Sequence, residues 1–367
     1  TIYMRNIILF LLLLPLMAYG QTYKHIGVED GLSNRRIYNI QKDHQGYMWF
    51  LTNEGMDRYN GKDIKHYKLI EENKQLSSEI HLGWLYADKE GGIWVIGKKG
   101  RIFQYEEKYD RFTMVYKSLK VTDAISYGYL DRNNNLWLCG KDSILLYNTK
   151  TTQVMRLPNL LEDNITVEQA DDTHFFIATE MGVRYTQFEN EALKVIPLDM
   201  LDHVYTQINS LYFHPQLHRL FVGTFSDGTF AYDMSAHQII KSDTKLGDVS
   251  ITHIRPLNQK ELLVATEGMG VHKIDVNTCN TSPFIVANYE SYNEMNGNNI
   301  TDIYIDEEKR IWLANYPAGI TVVDFRYKNY RWIKHSIGNK QSIVNDQVHA
   351  VIEDSEGDLW FGTSNGI

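Results

Sequence analysis

The sequence predicts an all-β fold: a seven-bladed β-propeller of four-stranded antiparallel blades, followed by the first half blade of a second propeller. Three observations carry this. A turn-and-strand unit recurs along nearly the whole chain at intervals of about 45 residues, the period of propeller blades. The stretches between turns read as short strands bounded by Gly, Asn and Asp. After the N-terminal segment no long amphipathic helical pattern appears.

In chain order, the first element is a targeting segment. Met4 and Arg5 open it, Ile7 to Leu14 is an unbroken apolar run, and Pro15 ends the run. Ala18, Tyr19 and Gly20 then place small residues before a cut at Gln21. This is the order of a secretory signal, and the run is shorter than the ~20 residues of a membrane span. Cleavage is the preferred reading and an uncleaved anchor helix the other. No Cys follows the run, which speaks against a lipoprotein anchor. Thr1 to Tyr3 precede Met4, which places the start of translation at Met4. Residues 1–20 are read as a signal peptide, 21–340 as the seven-bladed propeller and 341–367 as the truncated start of a second.

The repeat itself begins with Asp43-His44-Gln45-Gly46-Tyr47-Met48-Trp49 and returns as Asp88-Lys89-Glu90-Gly91-Gly92-Ile93-Trp94. The pattern is Asp, Gly three later and Trp six later. Asp131, Asn134, Trp137 and Asp354, Gly357, Trp360 repeat it, and Asp306, Lys309, Trp312 does so without the glycine. Phe176, Phe221 and Leu263 hold the Trp place in degenerate copies. A second glycine follows, at Gly55, Gly100, Gly182, Gly228, Gly270, Gly319 and Gly366.

Each copy reads as one blade. A first strand such as Ile37-Tyr38-Asn39-Ile40 ends in the Asp-x-x-Gly turn. There the Asp side chain can accept backbone N–H bonds, and Gly can take the left-handed conformation. Trp opens the second strand and packs between neighbouring blades. The second glycine turns the chain into a third strand ending in Tyr or Asp, as at Tyr59, Tyr105, Tyr147, Tyr232 and Asp275. Asn60-Gly61 is a strong hairpin signal, and fourth strands follow at Ile64–Tyr67, Val154–Leu157 and Arg331–Lys334. Seven copies fit between Tyr23 and about Ile337, and an eighth begins near Ser342 and reaches Ile367 after its second strand. Seven plus one is the preferred count. The alternative is a single eight-bladed ring in which Tyr23–Gly27 supplies the outer strand of the last blade.

Composition narrows the function. With 37 Lys and Arg against 46 Asp and Glu, the net charge is −9, and nucleic-acid binding lacks the clustered cations it needs. Cys139 and Cys279 are the only cysteines, too few for a disulfide scaffold, and both are read as unpaired. His214 and His218 are four apart, but Pro215 between them argues against helical metal-ligand spacing. The histidines are read as loop residues, and neither metal nor cofactor is expected. No Gly-x-Gly-x-x-Gly joins a strand to a helix. Glycoside hydrolysis needs two carboxylates flanking one bond, and no pair stands out, so no catalytic residue is assigned. The five marker tryptophans are read as core, whereas Trp84 and Trp332 fall outside that register and are freer to act at a surface.

These residues resemble the two-component regulator propeller repeat. Asp354-Ser355-Glu356-Gly357-Asp358-Leu359-Trp360-Phe361-Gly362-Thr363-Ser364-Asn365-Gly366-Ile367 lies close to its pattern of Asp-x-x-Gly-x-Leu-Trp-x-Gly-Thr-x-x-Gly-Leu. Glu29-Asp30-Gly31-Leu32-Ser33 and Asn53-Glu54-Gly55-Met56-Asp57-Arg58-Tyr59-Asn60-Gly61 resemble the family's opening. Copies four to six depart most, lacking both the Trp and the Asp-x-x-Gly turn. The resemblance implies the periplasmic sensor region of a hybrid two-component histidine kinase anchored in the inner membrane, with an oligosaccharide ligand. It further implies a second propeller and a kinase in the same polypeptide, and a homodimeric receptor. A protein-interaction scaffold and a secreted carbohydrate-active propeller enzyme are the rival readings.

Blade geometry points a ligand to the face that carries two loop sets. The loops before the inner strands offer Asn34, Arg35, Glu79, His81, Asp123 and Asp302. Those joining strands two and three offer Glu54, Lys98, Lys141, Phe225 and Tyr316. An anionic sugar would favour Arg35, Lys98 and Lys141 through charge-assisted contacts.

Overall fold

The computed structural model describes residues 22–71, 74–76, 82–118, 124–159, 164–180, 182–198, 207–287, 295–326, 333, 335 and 342–367. The targeting segment, Glu79, His81, Asp123 and Trp332 lie outside the described residues. The described residues fall into two compact units, Lys24–Val322 and a smaller one that contains the described part of Val323–Ile367.

The larger unit is a seven-bladed β-propeller of four-stranded antiparallel sheets. The inner strands, in blade order, are Ile37–Lys42, Leu82–Ala87, Ile125–Leu130, Asn164–Gln169, Ile208–His214, Ile251–Pro256 and Asn299–Ile305. Each touches the next, and the last touches the first, so they close a circuit. The degenerate copies fold like the others: blade four ends at Ile196, blade five at Asp243 and blade six at Ile285. A short hairpin, Leu69–Glu71 with Lys74–Leu76, joins blades one and two.

The seventh blade departs from expectation. Its outer strand is Thr22–Ile26, which lies beside Gly319–Asp324. The repeat pattern places Arg331–Lys334 here, of which 331, 332 and 334 lie outside the described residues, and assigns Tyr23–Gly27 to an outer strand only in the eight-bladed alternative. Pairing the two ends of the ring in one sheet is what closes it, because an unpaired edge would leave a row of backbone groups without partners.

Blade-to-blade packing explains the sequence of the second strands. Met48–Thr52, Ile93–Gly97 and most of Asn135–Gly140 are buried on both faces, so they run apolar instead of alternating. Trp49 and Leu51 pack on blade two, while Met48 and Phe50 pack toward blade seven. Trp94 faces blade three, Trp137 blade four and Trp312 blade one. Phe176 and Phe221 hold the same place against blades five and six.

The Asp-x-x-Gly turn has a second purpose that was not read from sequence. In blade one Asp43 Oδ1 accepts the N–H groups of Gln45 and Tyr47, and Oδ2 accepts the indole N–H of Trp49 at 2.7 Å. The same indole bond joins Asp88 to Trp94, Asp131 to Trp137 and Asp306 to Trp312. The spacing of six therefore ties the turn to the core residue. Where the glycine is missing, Asn134 and Lys309 still take positive φ, 64° and 65°.

Both cysteines are buried and neither is in a disulfide. Cys279, expected in a polar turn, instead packs into the core between blades five and six. His214, read as a solvated loop residue, is buried at the end of its strand, and its Nδ1 accepts the N–H of Leu217 at 3.4 Å.

In the smaller unit, Val348–Glu353 and Leu359–Thr363 form a hairpin. It repeats the first half of a blade, including the bond from Trp360 to Asp354 at 2.7 Å. Trp360 was expected to be core but is 54% exposed, along with Val351, Ile352 and Leu359, because two strands alone cannot cover both faces of a sheet.

Candidate functional site

The site is built by one irregularity repeated in every blade. Between its first and second strands each sheet shifts register, after Ile37, Leu82, Ile125, Asn164, Ile208, Ile251 and Ile300. One extra residue in the inner strand makes a bulge, which re-aims the side chains beyond it. The residues after the bulge are Asn39, Trp84, Tyr127, Thr166, Ser210, His253 and Asp302, and all seven line one central cavity of about 450 Å³. Strand alternation brings the residue two further on to the same side. Six of those seven, Gln41, Tyr86, Tyr129, Glu168, Arg255 and Tyr304, line it as well. The channel wall is thus two tiers of side chains, the first with one from each blade and the second with one from each blade except the fifth.

The first tier also stitches the ring. Asp302 Oδ2 accepts the N–H of Ile40 at 2.7 Å, Asn39 Oδ1 that of Leu85 at 3.3 Å, and Ser210 Oγ that of Ile254 at 2.9 Å. Glu168 Oε1, in the second tier, accepts the N–H of Phe213 at 3.1 Å. Each bond runs from one inner strand to the next, where no ladder of backbone bonds exists. Gly128 makes room for an aromatic: a Cβ there would come within 2.8 Å of the Trp84 ring. Its carbonyl accepts the Tyr86 hydroxyl at 2.6 Å, and Trp84 meets Tyr127 edge-on at 5.9 Å.

Burial governs the charges. It pushes Glu168 up to about 7 and Asp302 up to about 6, against the opposing pull of Arg255 on both. It lowers His253 well below its ordinary value, with Arg255 adding to the effect, so this imidazole is neutral at pH 7. The wall combines flat aromatic faces with hydroxyl, amide, carboxyl and guanidinium groups. The channel's volume lies within the ~300–1,000 Å³ usual for small-molecule sites, and its lining is more polar than is usual for them.

Among the described residues of the two loop sets, Asp302 reaches the channel, buried in its wall and bonded to Ile40 and Ile303. Asn34 caps its own loop by accepting the N–H of Arg36 at 2.8 Å. Arg35, Glu54, Lys98 and Lys141 are exposed on loops of blades one to three. Phe225 and Tyr316 are 53% and 43% exposed. The two loop sets do meet, since Asn53 N–H bonds to Arg36 O and Phe225 N–H to Gln207 O. Arg36, not Arg35, joins them to the channel: its guanidinium lies 5.7 Å from the Tyr316 ring and 5.5 Å from that of the channel residue Tyr38. Trp84, set apart by its register, is a wall residue. The signal in the sequence is two columns of the repeat, ten and eight residues before the Trp marker in most blades.

The two component regulator propeller family matches the chain over residues 31–54 and 342–365. The first stretch enters blade one and the second covers the terminal hairpin. No curated protein matches the chain. Among solved structures, the extracellular domain of a hybrid two component system from B. thetaiotaomicron aligns with a TM-score of 0.67 at 20% identity. The alignment covers 94% of this chain and 52% of that one. A second such domain from the same organism gives 0.66 at 18%, covering 94% and 44%. YCF48 bound to D1 peptide gives 0.61 at 9%, covering 82% and 96%. These likenesses establish the propeller fold, and the chain spans about half the length of the two extracellular domains.

Proposed function

We propose that this chain is the ligand-sensing propeller of an exported two-component receptor. Its ligand is an oligosaccharide held in the central channel and at the loop face above it. Occupancy is relayed to a histidine kinase in the same polypeptide. The observation that carries the reading is the channel wall, in which six aromatic side chains, Tyr38, Trp84, Tyr86, Tyr127, Tyr129 and Tyr304, stand among polar side chains from blades one, four, five, six and seven. The regulator propeller repeats at residues 31–54 and 342–365 support the receptor context.

In this reading residues 1–20 are a signal peptide, 21–340 the first propeller and 341–367 the start of a second, and the parent is an inner-membrane homodimer facing the periplasm. No helix among the described residues is long and apolar enough to cross a membrane. Signalling requires that the ligand bind two states of the receptor with different affinity.

A glycosidase would need one carboxyl free to donate a proton and a second free to attack or activate water. Asp302 has both oxygens bonded to backbone N–H groups and Glu168 one. One observation favours a protein partner instead: Phe225, Met269 and Tyr316, in the equivalent loops of blades five, six and seven, each expose a large side chain on one face.

The test is a glycan array probed with the whole chain and with Trp84→Ala. Binding that weakens at least tenfold in the variant is expected. If no glycan binds, the sensing role fails; if the variant binds like the parent, the channel is not the site.

A further inference from the structure

Among the described residues Arg255 is the one guanidinium in the channel wall, and its surroundings bear on the charge of the ligand. It projects from the second tier of blade six. Among the described residues its hydrogen bond is a single one, from Nη1 to the carbonyl of its neighbour Ile254 at 3.2 Å. Glu168 and Asp302 are near enough to feel its charge, yet no ion pair within 4.0 Å joins either to it among the described residues. A guanidinium carries five N–H donors and no acceptor, so most of its donors are left for whatever enters the channel.

An acidic ligand would find this guanidinium attractive but would also meet two carboxyl groups across the same cavity. In a partly desolvated space like charges are costly. A cationic ligand would meet Arg255 itself. An uncharged polyhydroxyl ring has neither difficulty. Its hydroxyls can accept from Arg255 and donate to Glu168 Oε2, the oxygen not bonded to Phe213. Its apolar face can lie on Trp84 or Tyr127, which stand edge to face in the first tier. Asn39, Gln41 and Asn209 add amide groups that serve in either direction.

Resting on the sensing role proposed above, we infer that the channel selects a neutral sugar over a uronate or sulfated one, with Arg255 as its principal hydrogen-bond donor. The exposed cations Arg35, Lys98 and Lys141 lie on loops outside the channel wall, as do Arg36, beside Tyr38, and Arg132, whose charge reaches Glu168.

Isothermal titration of the whole chain tests this, with neutral xylo-, manno- and galacto-oligosaccharides on one side and oligogalacturonides and sulfated oligosaccharides on the other, at low and high salt. Binding of a neutral class, with affinity changing less than twofold with salt, is expected. Arg255→Gln should weaken it at least tenfold, because hydrogen bonds from charged groups are the strong ones. Arg255→Lys, which keeps the charge and loses the planar fork, is the second variant should the first not fold, and it too should weaken binding. Acidic ligands binding in preference to neutral ones, or an Arg255 variant that folds and binds like the parent, overturns the inference while leaving the sensing role standing. If no oligosaccharide of either kind binds, the sensing role falls and the inference with it.

Discussion

At the scale of single residues, the repeat is a set of local bonds that recur wherever the residue types do. Asp accepts two turn N–H groups and an indole N–H six residues on, and the fourth turn residue takes positive φ. Lys309 does this without being glycine, at φ 65°, and it is exposed. A left-handed residue with a Cβ costs roughly 1–2 kcal/mol, partly offset by the extra freedom that glycine has in the unfolded chain. Lys309→Gly should therefore stabilise the protein by about 0.5 kcal/mol, seen as a higher denaturation midpoint. A lower midpoint would show that the lysine side chain contributes more than its backbone costs.

At the scale of elements, the informative one is the closure of the ring. Ile26 is buried among Leu32, Trp312 and Ile320, and the strand that carries it completes blade seven. Gly319 sits beneath that strand: its φ is 97°, and a Cβ would meet the carbonyl oxygen of Ile26 at 2.5 Å. Gly357, in the terminal hairpin, has φ 90° with nothing within 4 Å of a Cβ. Gly357→Ala should cost only the left-handed strain of about 1 kcal/mol. Gly319→Ala should cost about 2–3 kcal/mol, because the closing strand must shift as well. Equal losses of thermal stability in the two variants would mean that the closing strand yields freely. Both glycines were visible as members of the repeat. Which of them lies under another strand was not, because that strand comes from the other end of the chain.

At the scale of the whole molecule, the channel gathers charges that seven blades bring from far apart in sequence. Burial pushes Glu168 up to about 7 and Asp302 up to about 6. A carboxyl that holds its proton more tightly folded than unfolded favours the fold at low pH. That contribution is lost as the pH rises from the ordinary carboxylate range through these values. His253, held neutral by burial, works the other way and opposes the fold as the pH falls below its ordinary 6.5. Glu168→Gln keeps an acceptor for Phe213 and removes one titration. The melting temperature of the variant relative to the parent should rise between pH 5 and pH 8. A difference that stays flat across that window would mean that Glu168 is not held in a desolvating site.

The repeat period, the all-β blades, the turn glycines and the tryptophans that face the next blade are all legible in the amino-acid order alone. Each of these rests on contacts within one blade or on the apolar character of a strand buried on both faces. That order also marks Asp302 and sets Trp84 apart, without showing that they meet. The folded ring was needed to show that Thr22–Ile26 closes it, that a bulge in each inner strand turns two columns of the repeat inward, and that Arg255, Glu168 and His253 share one cavity. The reason is physical. Blade turns are written by neighbours in the chain, whereas a channel is written by residues such as Ile40 and Asp302, 262 positions apart, whose identities carry no mark of one another until the ring is closed.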